Sequence, residues 1–217
     1  MCIRDRIIYN GVDTNRYNNS LHSRLRGQLR KQWGVRENDT VFLFVSYDLK
    51  KKGIEPLIEA AASLKKSGNE DFKIIIVGGQ LYRSLGKIIA KLDINDKIVF
   101  TGRVKSTEEV YANGDVFVLP TYYDACSLVV IEAMACGLPA ITTIYNGAAG
   151  IIDDGVNGYI ISHPPKPSDL ANKLRSLMDD SLREKMSEQA SRAGQKYSTE
   201  KNHKEMIRIL NEATPIS

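Results

Sequence analysis

At 217 residues, 42% hydrophobic and 26% charged, with a net charge of +4, the chain has apolar material for one globular domain with appendages and is not a disordered segment. Its three cysteines, Cys2, Cys126 and Cys136, have neither disulfide-framework nor metal-ligand spacing, so a reducing, cytoplasmic setting is the expectation. No uncharged apolar run reaches the roughly eighteen residues that span a bilayer, and the opening residues lack signal-peptide logic.

The chain opens on MCIRDR, which has no periodicity and reads as a non-native start, followed by IIYNGVD (7–13), which reads as a strand closed by an Asn-Gly turn. Residues 1–36 hold eight Arg or Lys against two Asp, a net of +6, which leaves the remainder slightly acidic. Between Ser20 and Trp33 the residues Leu21, Leu25, Leu29 and Trp33 recur every fourth position, with Arg24, Arg26, Arg30 and Lys31 on other faces. That spacing predicts one amphipathic helix. It packs its Leu stripe on its own domain in one reading, and touches an anionic membrane surface, peripherally, in the other. Nucleic acid is not an expected partner, because no aromatic residues interleave the basic ones.

From Thr40 the pattern is regular. VFLFVS (41–46) precedes a helical run from Ile54 to Lys66, and KIIIVGG (73–79) one from Leu81 to Leu92. KIVFTG (97–102) precedes a short helix near Thr107 to Asn113, and DVFVLP (115–120) a helix from Ser127 to Cys136. PAITT (139–143) leads into a brief Gly-Ala turn, GYIIS (158–162) is the last strand, and only helices follow Lys166. Alternating strands and helices predict an α/β fold, a Rossmann-like parallel sheet flanked by helices, with C-terminal helices. Continuous apolar strands such as IIIV and VFVL require both sheet faces to be covered. Three segments follow: 1–39 with the start, the IIYNGVD stretch, which the resemblance given below makes an interdomain segment, and the basic helix; 40–196 as the Rossmann-like domain; 197–217 as a closing helix and tail.

Ligands of such sheets bind at the carboxyl ends of the strands, and there the polar residues and glycines gather. Asp48, Lys50, Lys51, Lys52 and Gly53 follow the first regular strand, Gly78 and Gly79 the second, and Gly102, Arg103 and Val104 the third. Tyr122, Tyr123 and Asp124 follow the fourth, and Tyr145, Asn146 and Gly147 the fifth. Lysines facing the free N–H groups of Ser127, Leu128 and Val129 would suit a pyrophosphate, although a lysine triplet is also a common solvated loop. Neither a Walker A nor a GxGxxG spacing is present. Within the fourth helix, Glu132 has only the apolar neighbours Leu128, Val129, Ala135 and Cys136 three and four positions away, so it needs a hydrogen-bonding partner. Asp124 stands eight residues earlier, where capping the helix is the ordinary role of such a residue.

The stretch from Asp124 to Pro139, DACSLVVIEAMACGLP, resembles the donor-binding motif of retaining GT-B glycosyltransferases of family 4, with two acids eight positions apart and a Gly-x-Pro turn. YNGVD (9–13), LKKKG (49–53), GVNGYII (155–161) and YSTEKNHKEMIRIL (197–210) resemble further family segments in the same order, the nearest flavour being the lipopolysaccharide core glucosyltransferases. The resemblance implies half of a GT-B fold that binds a nucleotide-diphosphate sugar, with UDP as the expected carrier, for transfer of a hexose to a glycan or lipid-linked acceptor held by an N-terminal domain this chain lacks. It implies that Asp124 holds donor-sugar hydroxyls, Glu132 the ribose, Lys51 and Lys52 the diphosphate with the amides of Ser127, Leu128 and Val129, and the main chain near Arg103 and Val104 the base. The resemblance further implies that Gly79 belongs to the same donor site, that Asp124 and Lys52 act in catalysis, and that no metal or other cofactor is required. The family ordinarily has Glu where this chain has Asp124, one methylene shorter. The alternative is a stand-alone module that binds a nucleotide sugar or a partner without turnover.

Overall fold

The computed structural model describes residues 7–213. MCIRDR, and Cys2 with it, lies outside the described residues. Six strands form one all-parallel sheet: β1 Thr40–Ser46, β2 Phe72–Gly78, β3 Ile98–Gly102, β4 Val116–Leu119, β5 Ala140–Thr143 and β6 Gly158–Ile161, in the order β3-β2-β1-β4-β5-β6. The centre of β1 is apolar at every position, and Val41, Phe42, Leu43 and Phe44 are fully buried. Such a strand can only sit mid-sheet with helices on both faces. The helices are α1 Ser20–Leu25, α2 Gln28–Gln32, α3 Ile54–Lys66, α4 Arg83–Lys91, α5 Thr107–Ala112, α6 Leu128–Ala135, α7 Pro167–Ser176, α8 Asp180–Gly194 and α9 Thr199–Ala213.

The chain winds outward from β1 to β3, then returns to β1's other side as β4. Right-handed crossovers therefore put α3 and α4 on one face of the sheet and α5 and α6 on the other. α7 packs on α3, and α8 on α6. The carboxyl ends of β1 and β4 diverge at this reversal, which opens a crevice between their loops. None of the described helices is long and apolar enough to cross a membrane.

Two expectations need correction. The basic segment is two short helices rather than one, because Gly27 between them takes φ 104° and donates its N–H to Asn113 Oδ1 at 2.8 Å. Two of its three arginines also turn to the domain: Arg26 and Arg30 reach Asp115 at 2.6 and 3.0 Å, and Asp115 accepts the Val41 N–H at 2.7 Å. Only packing on the domain accounts for that use of charge; contact with a membrane finds no support in it. The second correction is IIYNGVD, which forms no strand. Both edges of the sheet are remote in sequence, and Val12 pairs instead with the turn before α9, donating to Tyr197 O and accepting from Thr199 N at 2.9 Å each.

Candidate functional site

Two loops meet at the β1/β4 crevice. Residues 47–53 end on Gly53, whose φ of 79° and place against the Pro120 carbonyl leave no room for a Cβ. The Lys51 carbonyl accepts from Tyr122 N–H at 3.0 Å and from Thr121 Oγ1 at 3.2 Å, which stitches the loop after β1 to the loop after β4. The stitching brings Lys52 Nζ to 2.5 Å from Asp124 Oδ2 and 3.4 Å from Tyr123 O. Asp124 Oδ2 also accepts from the Ser127 hydroxyl, and Oδ1 from the Cys126 N–H at 3.1 Å. Burial acts to raise the Asp124 pKa, but the Lys52 ammonium and the Ser127 hydroxyl outweigh it and hold the carboxyl below its ordinary range. Lys52 and Asp124 keep 23% and 19% of their side-chain surface, so the pair stays open to a ligand.

Asn146, at the end of β5, organises the start of α6. Its Oδ1 accepts from Ser127 N–H at 3.3 Å and Ala148 N–H at 3.0 Å, while its Nδ2 donates to Thr142 Oγ1 at 3.0 Å. The Ser127 amide is therefore engaged inside the protein, contrary to its expected place among free donors. The Leu128 and Val129 N–H groups open the helix, where no intrahelical carbonyl reaches them. No acidic residue stands in that first turn, and the nearest carboxylate, Asp124, accepts from Cys126 N–H and the Ser127 hydroxyl just before it.

Glu132 lies one turn further along. Its Oε2 accepts from the hydroxyl of fully buried Tyr111 at 2.9 Å, so the carboxylate has an internal partner that the sequence did not reveal. Leu128, four positions earlier, is 43% exposed, while Ala135 and Cys136 are fully buried, so apolar neighbours seal only part of the surroundings of Glu132. Arg16 and Glu108, joined at 2.7 Å, stand nearby. Burial pushes the Glu132 carboxyl above its ordinary range, with the Tyr111 hydroxyl and Arg16 opposing. The two acids of one segment are thus driven in opposite directions, a pattern found where carboxylates have different tasks.

Other expected residues are less closely gathered. Lys51 has 82% of its side chain exposed and turns to Asp48 at 3.4 Å, away from the Lys52–Asp124 pair. Gly79 donates its N–H to Ser46 O at 2.8 Å, and a Cβ on it would meet Leu49, so packing alone accounts for the glycine. Arg103 lays its guanidinium 5.5 Å from the Tyr47 ring centroid, and Val104 packs on the core. Among the described residues no group of three or more His, Cys, Asp or Glu side chains is placed to hold a metal ion.

The family described as "Glycosyl transferases group 1" matches residues 26–197. N-acetyl-alpha-D-glucosaminyl L-malate synthase of Bacillus anthracis is 28% identical over 84% of this chain and 47% of its own length. Lipopolysaccharide glucosyltransferase WaaG of Escherichia coli is 30% identical over 70% of this chain and 41% of its own. The chain spans about half the length of the curated relatives it matches. In three dimensions it is similar to Anabaena Alr3699/HepE, solved in complex with UDP and glucose, at a TM-score of 0.81 and 26% identity over 95% of this chain and 56% of that one. With its parallel six-stranded sheet, its paired acids and the family match over most of its length, the chain belongs to the group 1 glycosyl transferases and has the Rossmann-like fold of a GT-B domain.

Proposed function

We propose that the β1/β4 crevice binds a nucleotide-diphosphate sugar, with UDP as carrier, for retaining transfer of a hexose to a glycan or lipid-linked acceptor. The observation that carries this is the Lys52–Asp124 pair at 2.5 Å beside the uncapped first turn of α6. In this reading Lys52 meets the diphosphate charge from one side and the Leu128 and Val129 N–H groups meet it from the other. As the nucleotide departs, negative charge grows on that diphosphate, and fixed donors stabilise the developing charge without reorganisation. Asp124 holds Lys52 in place and has lone-pair capacity left on Oδ1 for a sugar hydroxyl. Glu132 accepts the ribose hydroxyls with the capacity that Tyr111 leaves it, and the main chain at Arg103 and Val104 borders the base. Charge neutralisation rests on these groups rather than on a divalent ion.

Acceptor recognition falls, on this proposal, to a region beyond the donor crevice, of the kind that the longer relatives have room for. Calorimetry with UDP and UDP-glucose tests the reading. A dissociation constant in the micromolar to millimolar range, unchanged by a chelator, is expected. No heat at millimolar nucleotide on folded protein would defeat it.

A further inference from the structure

A second concavity, of about 940 Å³, lies where the loop after β1 meets the first turn of α4, and its wall includes Tyr47, Asp48, Lys50, Tyr82, Arg83 and Lys87. Neither Lys52, Asp124, Glu132 nor any residue of α6 contributes to it, although it shares the loop after β1 with the crevice and Tyr47 in its wall also carries the Arg103 guanidinium. Its one acid is already taken: Asp48 accepts the Lys51 N–H at 3.1 Å and pairs with Lys51 Nζ at 3.4 Å. Among the described residues Lys50, Arg83 and Lys87 form no ion pair with a carboxylate. Lys50 is held with its ammonium 4.9 Å from the Tyr82 ring centroid, and that ring is fixed in turn by its hydroxyl donating to Glu55 Oε1 at 2.8 Å.

The local sequence of α4 opposes its own helix. Its first turn has no acid and begins on Arg83, and Tyr82 before it provides no side-chain cap. A cation at the positive end of a helix is the unfavourable arrangement. The other helices of nine or more residues, α3, α7, α8 and α9, all place Glu55, Asp169, Asp180 or Glu200 in their first turn. Three cations that concentrate positive charge on an already positive helix end, inside a concavity, call for an anion with several acceptor oxygens.

We propose that this groove binds a phosphate group belonging to a ligand other than the donor nucleotide, a phosphorylated glycan or lipid. Its place beside a transfer reaction rests on the donor reading above; its chemistry does not.

The test is an NMR titration of the ¹⁵N-labelled chain with glycerol 3-phosphate, with and without saturating UDP. Saturable shifts of the Arg83, Ser84 and Lys87 amides are expected, and they should persist in the presence of UDP. The double substitution Arg83→Ala with Lys87→Ala, both on the surface, should weaken that binding at least ten-fold and leave UDP binding alone; Lys52→Ala should do the reverse. Absent shifts, shifts that UDP removes, or affinity unaltered in the double variant would overturn the proposal. Sedimentation with phosphatidylcholine vesicles, with and without phosphatidic acid, separates the sources: cosedimentation that needs phosphatidic acid and Arg83 with Lys87 identifies a lipid phosphate, and glycerol 3-phosphate binding without it identifies a soluble one. Phosphate binding that survives while UDP fails to bind would remove the donor reading and keep this one.

Discussion

Asp115 and Asp124 both accept from cations, and they do different work. Asp115 takes Arg26 at 2.6 Å, Arg30 at 3.0 Å and the Val41 N–H at 2.7 Å, and Arg30 spends further donors on Asp39 O at 2.7 Å and Asn113 O at 3.3 Å. Little acceptor capacity is left on Asp115, which keeps 8% of its side-chain surface against 19% for Asp124, and Arg30 is only 8% exposed, although Arg26 at the rim keeps 39%. Asp124 takes Lys52, the Ser127 hydroxyl and one backbone N–H, but its cation has donor capacity to spare and opens on a crevice. A closed set of donors and acceptors fixes the fold, whereas an open set is available to a ligand. Charge and proximity alone would not separate the two.

The largest effect should come from breaking the closed set. Asp115→Ala leaves two guanidinium groups and a backbone N–H without their acceptor, and urea unfolding should show a loss of about 3–5 kcal/mol; a loss below 1 kcal/mol would mean that the network is not structural. His22 lies beside the same arginines, where burial and Arg26 push its pKa down to about 4. The folded state holds it neutral, so its contribution is complete above the unfolded value near 6.5. On the order of 3 kcal/mol should be lost as the pH falls from there toward 4. His22→Gln should flatten that part of the stability profile, and an unchanged profile would contradict the assignment.

Opening the open set should cost affinity instead. Lys52→Ala should change urea stability by no more than about 1 kcal/mol while weakening UDP binding ten-fold or more, about 1.4 kcal/mol. Lys51→Ala, which removes an exposed side chain already turned to Asp48, should weaken UDP by less than about three-fold, since exposed pairs are worth little. Equal losses for the two lysines would erase the distinction that the loop geometry draws between them.

Much of this was legible in the sequence. Unbroken apolar runs such as VFLFV give central strands wherever helices alternate with them, and the acids at 124 and 132 with AMACGLP marked the family. What was not legible depends on contacts between distant residues. Gly27 could have sat inside a helix; it breaks one because Asn113, 86 positions later, accepts its N–H. Nothing in a triplet of lysines says which faces the crevice, since the loop is set by Thr121 and Tyr122 at the end of another strand. Tyr111, 21 positions before Glu132, is similarly invisible as its partner, because a tyrosine among apolar residues reads as core. Asn146 stood among the residues at the strand ends, and its role was also within reach: an Asn-Gly pair at the carboxyl end of a strand is a signal for a side chain that orders backbone amides.

The most direct test of the donor site divides the nucleotide into its parts. Binding of UDP, uridine and pyrophosphate would be measured on the wild-type chain, Lys52→Ala and Glu132→Gln. The account predicts that Lys52→Ala weakens UDP and leaves uridine unchanged, and that Glu132→Gln weakens UDP and uridine together. Uridine binding that falls with Lys52→Ala as much as UDP does, or UDP binding indifferent to Glu132→Gln, would contradict it.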